Sequence, residues 1–264
     1  MTKHRFLLIF SGLLVAGFAF TMQQTNALKV TRYTWESSRV PPGFDGYLIV
    51  QVSDLHGKRF GMDQKRLLKV IRDLNPDMIA FTGDMISLDT KDLSPVQELL
   101  AGLAGLAPMY YVDGNHDPLS PAYMDFRALL RECGVVTLEG CVALARGSDA
   151  MVLAGYGYWT ADRVAEPADI VLYHSPHLFD ALHGESVGLI LAGHIHGGQV
   201  ALPGGRAILG PGGALFPDYA GGFYERGGGG TAMVVSKGLG NSGLPVRLFA
   251  RPEVLCVTLS NCNV

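Results

Sequence analysis

Tyr47-Leu-Ile-Val-Gln-Val-Ser-Asp-Leu-His56 is an apolar run that ends abruptly in an aspartate and a histidine. Six residues of that hydropathy and length predict a buried strand, and the polar pair sits where the strand runs out. The same arrangement recurs along the chain. Met78-Ile-Ala-Phe-Thr82 leads into Gly83-Asp84, and Tyr110-Tyr-Val112 into Gly114-Asn-His-Asp117. Ile170–Tyr173 delivers His174, and Val187–Ala192 delivers Gly193-His-Ile-His-Gly197. Aspartate, histidine and asparagine at five strand ends supply about the number of N and O donors that two divalent cations need.

The segments between these strands alternate in character. Leu67, Val70, Ile71 and Leu74 recur at helical spacing from Asp63 onward, and Pro76 stops the helix. Residues 95–106 read as a helix, and Ser120-Pro121 as the cap and first-turn proline of another. After residue 135 the pattern becomes strand-rich, with runs at 135–138, 142–145, 151–154, 200–202, 233–236 and 254–258. A β-α first half followed by a strand-rich half predicts an α/β fold: two mixed sheets packed face to face, with helices outside, a four-layer sandwich. In open α/β sheets, sites form beyond the carboxyl ends of strands, which is where all five motifs fall.

With 264 residues the chain is long enough for one such domain, expected over residues 28–264. A formal charge of −3 and the lack of a basic stripe argue against a nucleic-acid partner. Residues 1–27 read separately. Lys3, His4 and Arg5 precede an uncharged, mostly apolar run from Phe6 to Met22, ahead of a small residue at Ala27. This is a signal peptide cleaved after Ala27, giving a secreted protein, or an uncleaved membrane anchor. The leading positive charges favour a domain on the extracytoplasmic face, although Lys29 and Arg32 oppose that orientation. Four cysteines without a Cys-x-x-Cys spacing argue against a zinc knuckle and leave reduced thiols or a disulfide open.

The residue types carry their own chemistry. Two cations about 4 Å apart repel, so a shared carboxylate is useful, and Asp84 on its glycine turn is the expected bridge. Asp54 and His56 alternate along an extended strand end, so both can face one way, as can His194 and His196. Asn115 adds a neutral oxygen. Two dications with two aspartates leave a first shell of about +2, suited to a phosphate anion. His177 and His183 flank an expected helix and read as ordinary surface or packing residues. Lys58, Arg59, Arg206, Tyr219, Tyr224 and Arg226 are substrate contacts or plain surface groups on sequence alone.

The ordered set Asp-x-His, Gly-Asp, Gly-Asn-His-Asp, a lone histidine and Gly-His-x-His resembles the calcineurin-like metallophosphoesterase family over roughly residues 45–260. The resemblance implies that Asp54, His56, Asp84 and His196 hold one metal, and Asp84, Asn115, His174 and His194 the other. Mn, Fe or Zn are the expected ions. It implies attack on phosphorus by a metal-bridging hydroxide. His116 would assist the leaving group, and Asp117 would orient that histidine.

Gly43-Phe-Asp-Gly46, Gly193–Gln199 and Gly238-Leu-Gly-Asn-Ser-Gly-Leu-Pro245 are similar to the membrane-associated bacterial phosphodiesterases of the family. That branch implies a phosphodiester or pyrophosphate substrate, lipid-linked in some members, and includes UDP-diacylglucosamine pyrophosphatases of lipid A synthesis. Ser/Thr protein phosphatases fit less well, because Met85-Ile-Ser-Leu-Asp89 follows Gly83-Asp84 and the arginine those enzymes carry nearby is missing. A silent metal-binding scaffold would be expected to have lost a ligand, and here the set is complete.

Overall fold

In the computed structural model, which describes residues 3–163, 167–181, 186–226 and 230–262, every strand read from the sequence forms. The first half contains α1 (Lys3–Asn26), β1 (Lys29–Ser37), β2 (Leu48–Val52), α2 (Lys65–Leu74), β3 (Met78–Phe81), α3 (Ser94–Leu103), β4 (Met109–Tyr111), α4 (Tyr123–Glu132) and β5 (Val136–Thr137). The second half contains β6 (Gly140–Arg146), β7 (Asp149–Tyr156), β8 (Ala168–Tyr173), α5 (Leu178–Ala181) and β9 (Val187–Ala192). It ends with β10 (Val200–Ala201), β11 (Ala207–Leu209), β12 (Gly222–Glu225), β13 (Ala232–Val235) and β14 (Glu253–Asn261).

Two six-stranded sheets result, ordered β1-β14-β2-β3-β4-β5 and β12-β13-β9-β8-β7-β6. Both are mixed. In the first, β2 through β5 run parallel and β14 is antiparallel to β2. In the second, β7, β8, β9 and β13 are parallel, and the edge strands β6 and β12 are antiparallel.

The period of two along each strand decides which side chains meet. Ile49, Met78 and Ala80 of the first sheet pack against Leu153, Ile170, Leu172, Leu189 and Leu191 of the second. The alternate residues Val50, Ile79 and Phe81 face outward onto Leu67 and Ile71 of α2, Leu99 of α3 and Phe126 of α4. On the far face, Val171, Ile190 and Val235 pack with Phe179 of α5. The layers are therefore helices, sheet, sheet and a short helix with loops. Gln51 crosses the middle: its Nε2 donates to Thr82 Oγ1 and to the carbonyl of Ala192 on the opposite sheet, both at 2.8 Å.

Some elements differ from the sequence reading. α4 begins at Tyr123 rather than at Ser120-Pro121, because residues 117–119 make a 3-10 turn and Ser120 Oγ accepts from Ala122 N in a local turn. β1, β11 and β12 are additional strands. Of these β1 was the most readable, since Val30, Tyr33 and Trp35 belong to a half-buried edge pattern on β14.

α1 is an apolar helix whose stretch Leu7–Asn26 is long and apolar enough to cross a membrane, and none of it is covered by the rest of the chain over its most apolar window. Its last turn is different. Thr25 is buried, and Thr25 Oγ1 accepts from the backbone N–H of Arg247 at 3.0 Å.

Candidate metal centre

Asp54, His56, Asp84, Asn115 and His116 follow β2, β3 and β4 of the first sheet, and His174, His194 and His196 follow β8 and β9 of the second. The sandwich brings both sets to one end. Ligand-type atoms of Asp54, His56 and His196 lie within 4.8 Å of one another, as do those of His56, Asp84 and His116 and those of Asp84, His174 and His194. Asp84 belongs to two of these triads. His196 Nε2 stands 3.4 Å from Asp54 Oδ1 and 3.3 Å from His56 Nε2. On the other flank, His174 Nε2 is 3.3 Å from Asp84 Oδ2 and 3.2 Å from Asn115 Oδ1. All seven residues expected as metal ligands thus meet in one cluster.

Tight turns aim these side chains. Asp54, His56, Asp84, His194 and His196 have φ values of 52°, 49°, 52°, 76° and 54°, in the left-handed region. A non-glycine residue held there costs about 1–3 kcal/mol, and such residues gather at functional sites. The loops lock together through backbone bonds, Asp54 N to Gly83 O and His56 N to Asp84 O, each at 3.0 Å. Space is equally tight. A Cβ on Gly83 would lie 2.6 Å from both the Gly114 nitrogen and His174 Nδ1, so this turn takes no side chain.

Hydrogen bonds behind the cluster set the tautomers. His174 Nδ1 donates to the carbonyl of Thr82 at 2.7 Å, which turns a free Nε2 toward the carboxylates once the ring is neutral. His56 Nδ1 sits 3.1 Å from Ser87 Oγ in the same manner. Ser53 Oγ donates to Asp54 Oδ2 at 2.5 Å, and the His194 backbone N–H reaches the same carboxylate.

Burial governs the charges. It lowers His56 to about 4 and His194 to about 3 and holds His196 well below its ordinary value, so these three rings are neutral at pH 7 and free to ligate. Burial, with the neighbouring Asp84, lifts Asp54 to about 6. For Asp84, burial would raise the carboxyl, but His174 outweighs it and holds it well below the usual carboxylate range. His174 shows the reverse balance: burial would lower it, yet Asp84 and then Asp54 carry it up to about 10. Two buried carboxylates leaning on one imidazolium make a donor set short of positive charge. Its chemistry fits divalent cations.

Asp117 lies elsewhere than expected. Its carboxylate accepts backbone N–H groups of Asp84 at 2.7 Å, Ile86 at 3.0 Å and Gly114 at 2.8 Å. Among the described residues His116 Nδ1 has no hydrogen-bond partner. Asp117 therefore does not orient the His116 ring; it binds the Gly-Asp turn to the Gly-Asn-His-Asp turn. His116 itself is well placed, with its Nε2 3.9 Å from Asp84 Oδ2 on the wall of a cavity of about 300 Å³ that Pro211, Gly212 and Ser242 also line.

The softer expectations divide. Lys58 lines a second cavity beside His56. Arg59 pairs with Glu98 at 2.7 Å. Tyr219 donates to Asp180 at 2.6 Å, Arg226 reaches the Phe179 carbonyl, and Arg206 lies over the Phe216 ring, so none of these three is at the metal cluster. Tyr224 donates to Gly221 O. His177 is exposed, and His183 lies outside the described residues. Two neighbours escaped the sequence reading. The Tyr158 ring lies 5.4 Å from that of His194, and Arg247 touches His196 from behind. Arg247 follows the Gly238–Pro245 motif by two residues, the one signal that pointed near it.

A sandwich carrying such a cluster at the carboxyl ends of its strands is that of a metal-dependent phosphoesterase. The sequence profile of the calcineurin-like phosphoesterases matches residues 47–198. The metallophosphoesterase YkuE of Bacillus subtilis is 32% identical over 96% of this chain and 94% of its own length. A transmembrane protein with metallophosphoesterase domain from Danio rerio is 26% identical over 84% of this chain and 55% of its own length. The phosphodiesterase YaeI of Escherichia coli is 28% identical over 81% of this chain and 82% of its own length. The chain belongs to the calcineurin-like phosphoesterase family.

Proposed function

We propose that this protein hydrolyses phosphodiester or pyrophosphate bonds with two divalent cations, held at the membrane by an uncleaved α1. The observation that carries the reading is the overlap of the donor triads at Asp84, with His116 facing the same cavity. Asp54, His56, Asp84 and His196 would hold one cation, and Asp84, Asn115, His174 and His194 the other. Bound there, two divalent cations supply Lewis acidity toward the phosphate oxygens and lower the pKa of a water.

The protein side chains do the rest. Thr82 and Ser87 keep the Nε2 atoms of His174 and His56 turned inward. Asp117 fixes the turn that carries Asp84. His116 Nε2 gives a proton to the departing oxygen, a contribution of about 10²–10⁴ in rate. The buried Thr25 and the hydrogen bonds to the last turn of α1 support retention of the helix.

The test is hydrolysis of bis(p-nitrophenyl) phosphate by the purified protein, stripped of metal and then given Mn²⁺, with p-nitrophenyl phosphate alongside. Metal-dependent cleavage of the diester in preference to the monoester is expected. No cleavage of either with two metals bound per chain would overturn the phosphodiester reading and leave a narrow pyrophosphatase or a silent metal-binding scaffold.

A further inference from the structure

The last turn of α1 is joined to the metal cluster through one buried arginine. Thr25 is buried, and its Oγ1 donates to the Thr21 carbonyl at 2.8 Å. That bond commits the hydroxyl proton and leaves the oxygen as an acceptor, which takes the backbone N–H of Arg247 at 3.0 Å. From the same residue the guanidinium runs inward to Nδ1 and to the carbonyl of His196, each 3.2 Å away. A hydroxyl of the N-terminal helix and a ring of the metal cluster are thus held by the two ends of one residue.

The stretch that carries Arg247, residues 236–252 between β13 and β14, is loop. Leu248 is held on the domain side, its N–H donating to Gln199 O at 2.8 Å and its carbonyl accepting from Ala201 N at 2.9 Å. Arg247 gives its own N–H to the helix instead. Phe249 then takes a φ of 54°, in the left-handed region, which is unfavourable for a bulky side chain and persists only where the surroundings impose it. Its ring packs on Phe20 of α1, with centroids 5.6 Å apart. Two residues on, Arg251 donates to Ala27 O and Leu28 O at 3.1 and 3.0 Å. The helix and the residues just after it therefore hold a strained loop at 247, 249 and 251 in turn.

The helix end is secured separately from the α2 side. Lys58 Nζ donates to Thr25 O at 2.6 Å and Arg66 to Asn26 O at 3.2 Å, closing carbonyls at the end of the helix. The Thr25 hydroxyl differs from these contacts in its partner, because Arg247 is the residue that braces the outer edge of the His196 ring.

Resting on the metal-binding reading above, we infer that Thr25 is a positioning residue of the metal centre, acting through Arg247 on His196, so that the anchor helix is a working part of the hydrolase as well as its tether. Without the Oγ1 acceptor, the buried N–H of Arg247 must find another partner, and it can do so only if the 247–249 loop moves. The guanidinium moves with the loop, and the His196 ring loses the contact that sets its orientation. A chain cut after Ala27 would lose Thr25 and Phe20 together and should bind metal less tightly than the intact protein.

The experiment uses the full-length protein in detergent, freed of metal, with Mn²⁺ affinity read by titration calorimetry. Thr25→Val keeps the shape and removes the acceptor, whereas Thr25→Ser keeps the acceptor. Thr25→Val should weaken Mn²⁺ binding about threefold to thirtyfold, and Thr25→Ser should bind as wild type. Thr21→Val, whose lost hydroxyl donates to Gly17 O within the helix, should also bind as wild type. In an Arg247→Lys background Thr25→Val should add little, since that chain has already lost the link. Wild-type affinity in a folded Thr25→Val, or an equal loss in both backgrounds, overturns the inference and leaves the metal centre standing. An equal loss in Thr25→Ser or Thr21→Val assigns the effect to the helix in general and overturns it as well. Should Thr25→Val fail to fold, Phe20→Ala takes its place. It frees Phe249 and leaves the hydroxyl intact, so weaker Mn²⁺ binding is expected, and wild-type affinity overturns the inference. A wild-type protein that binds no Mn²⁺ removes the metal-binding reading, and the inference with it.

Discussion

Nη2 of Arg247 lies 3.2 Å from Nδ1 of His196, and both side chains are buried. The same guanidinium donates to the carbonyls of Lys237 at 2.7 Å, Ala250 at 2.9 Å and His196 at 3.2 Å, and to that of Gly240. One arginine thus solvates its charge entirely with protein carbonyls while bracing the far edge of a metal-cluster ring. Burial lowers it only to about 10, so it stays charged at neutral pH.

Arg247→Lys should therefore damage the site without touching it directly. A point ammonium cannot reach all of these carbonyls, and each one left unpaired costs about 1–3 kcal/mol. A lower melting temperature is expected, together with metal binding weakened about 10–100-fold. Calorimetric titration with Mn²⁺ giving wild-type affinity would show that the brace is dispensable.

His116→Ala and Asp117→Asn should separate cleanly, although the residues are adjacent. Losing His116 should cut diester turnover by about 10²–10⁴ with both metals retained. Asp117→Asn turns one carboxylate oxygen, either Oδ2 that accepts from both Asp84 and Gly114 or Oδ1 that accepts from Ile86, into an amide donor, and so should lose metal and thermal stability together. Metal analysis of the two purified variants decides it. Equal metal content in both would argue that Asp117 has no role in holding the turn.

Gly114→Ala tests how close the two turns must come. Its Cβ would collide with Asp84 Oδ1 and fall 2.7 Å from Asp84 Cγ. Overpacking of this kind costs about 1–3 kcal/mol, and here the group displaced is the expected bridging carboxylate. The variant should melt earlier and purify with less metal than wild type. A fully metallated protein melting at the wild-type temperature would show that the turn can open.

Metal loading should release a proton. In the metal-free protein His174 is carried up to about 10, above its ordinary 6.5, whereas Asp54 at about 6 and Asp117 at about 7 are mostly ionised at pH 8. The ring must deprotonate to ligate, so at pH 8 about one proton should leave on binding. The sign follows: between pH 8 and about 10 the apparent Mn²⁺ affinity should rise with pH, about tenfold per unit. Titration calorimetry in buffers of differing ionisation enthalpy measures it. Zero release would place the His174 proton elsewhere.

Much of this site could be read from the chain because each ligand sits at a strand end, where a hydropathy run and a polar motif adjoin. Asp54, Asp84, Asn115, His174, His194 and His196 all obey that rule. Asp117 was seen but misassigned, because adjacency in sequence suggested His116 while the turn geometry sends the carboxylate back to backbone amides. Arg247 follows no strand, and Tyr158 comes two residues after β7 without a metal-type motif to mark it, so neither position carries a local signal of its role. β1 went unread because its polar edge residues dilute the alternation, and β12 because glycine carries no hydropathy signal.

The metal donors are divided between sheets that arise from different stretches of chain, β2–β4 from residues 48–111 and β8–β9 from residues 168–192. Neither stretch alone holds the full set. An ion can be gripped by both flanks only after the layers have docked, the step that also lets Gln51 reach Ala192 across the seam. Chelation thereby becomes a late event in the life of the chain, and an ion caught between the sheets acts as a rivet whose removal loosens a seam rather than merely silencing a reaction.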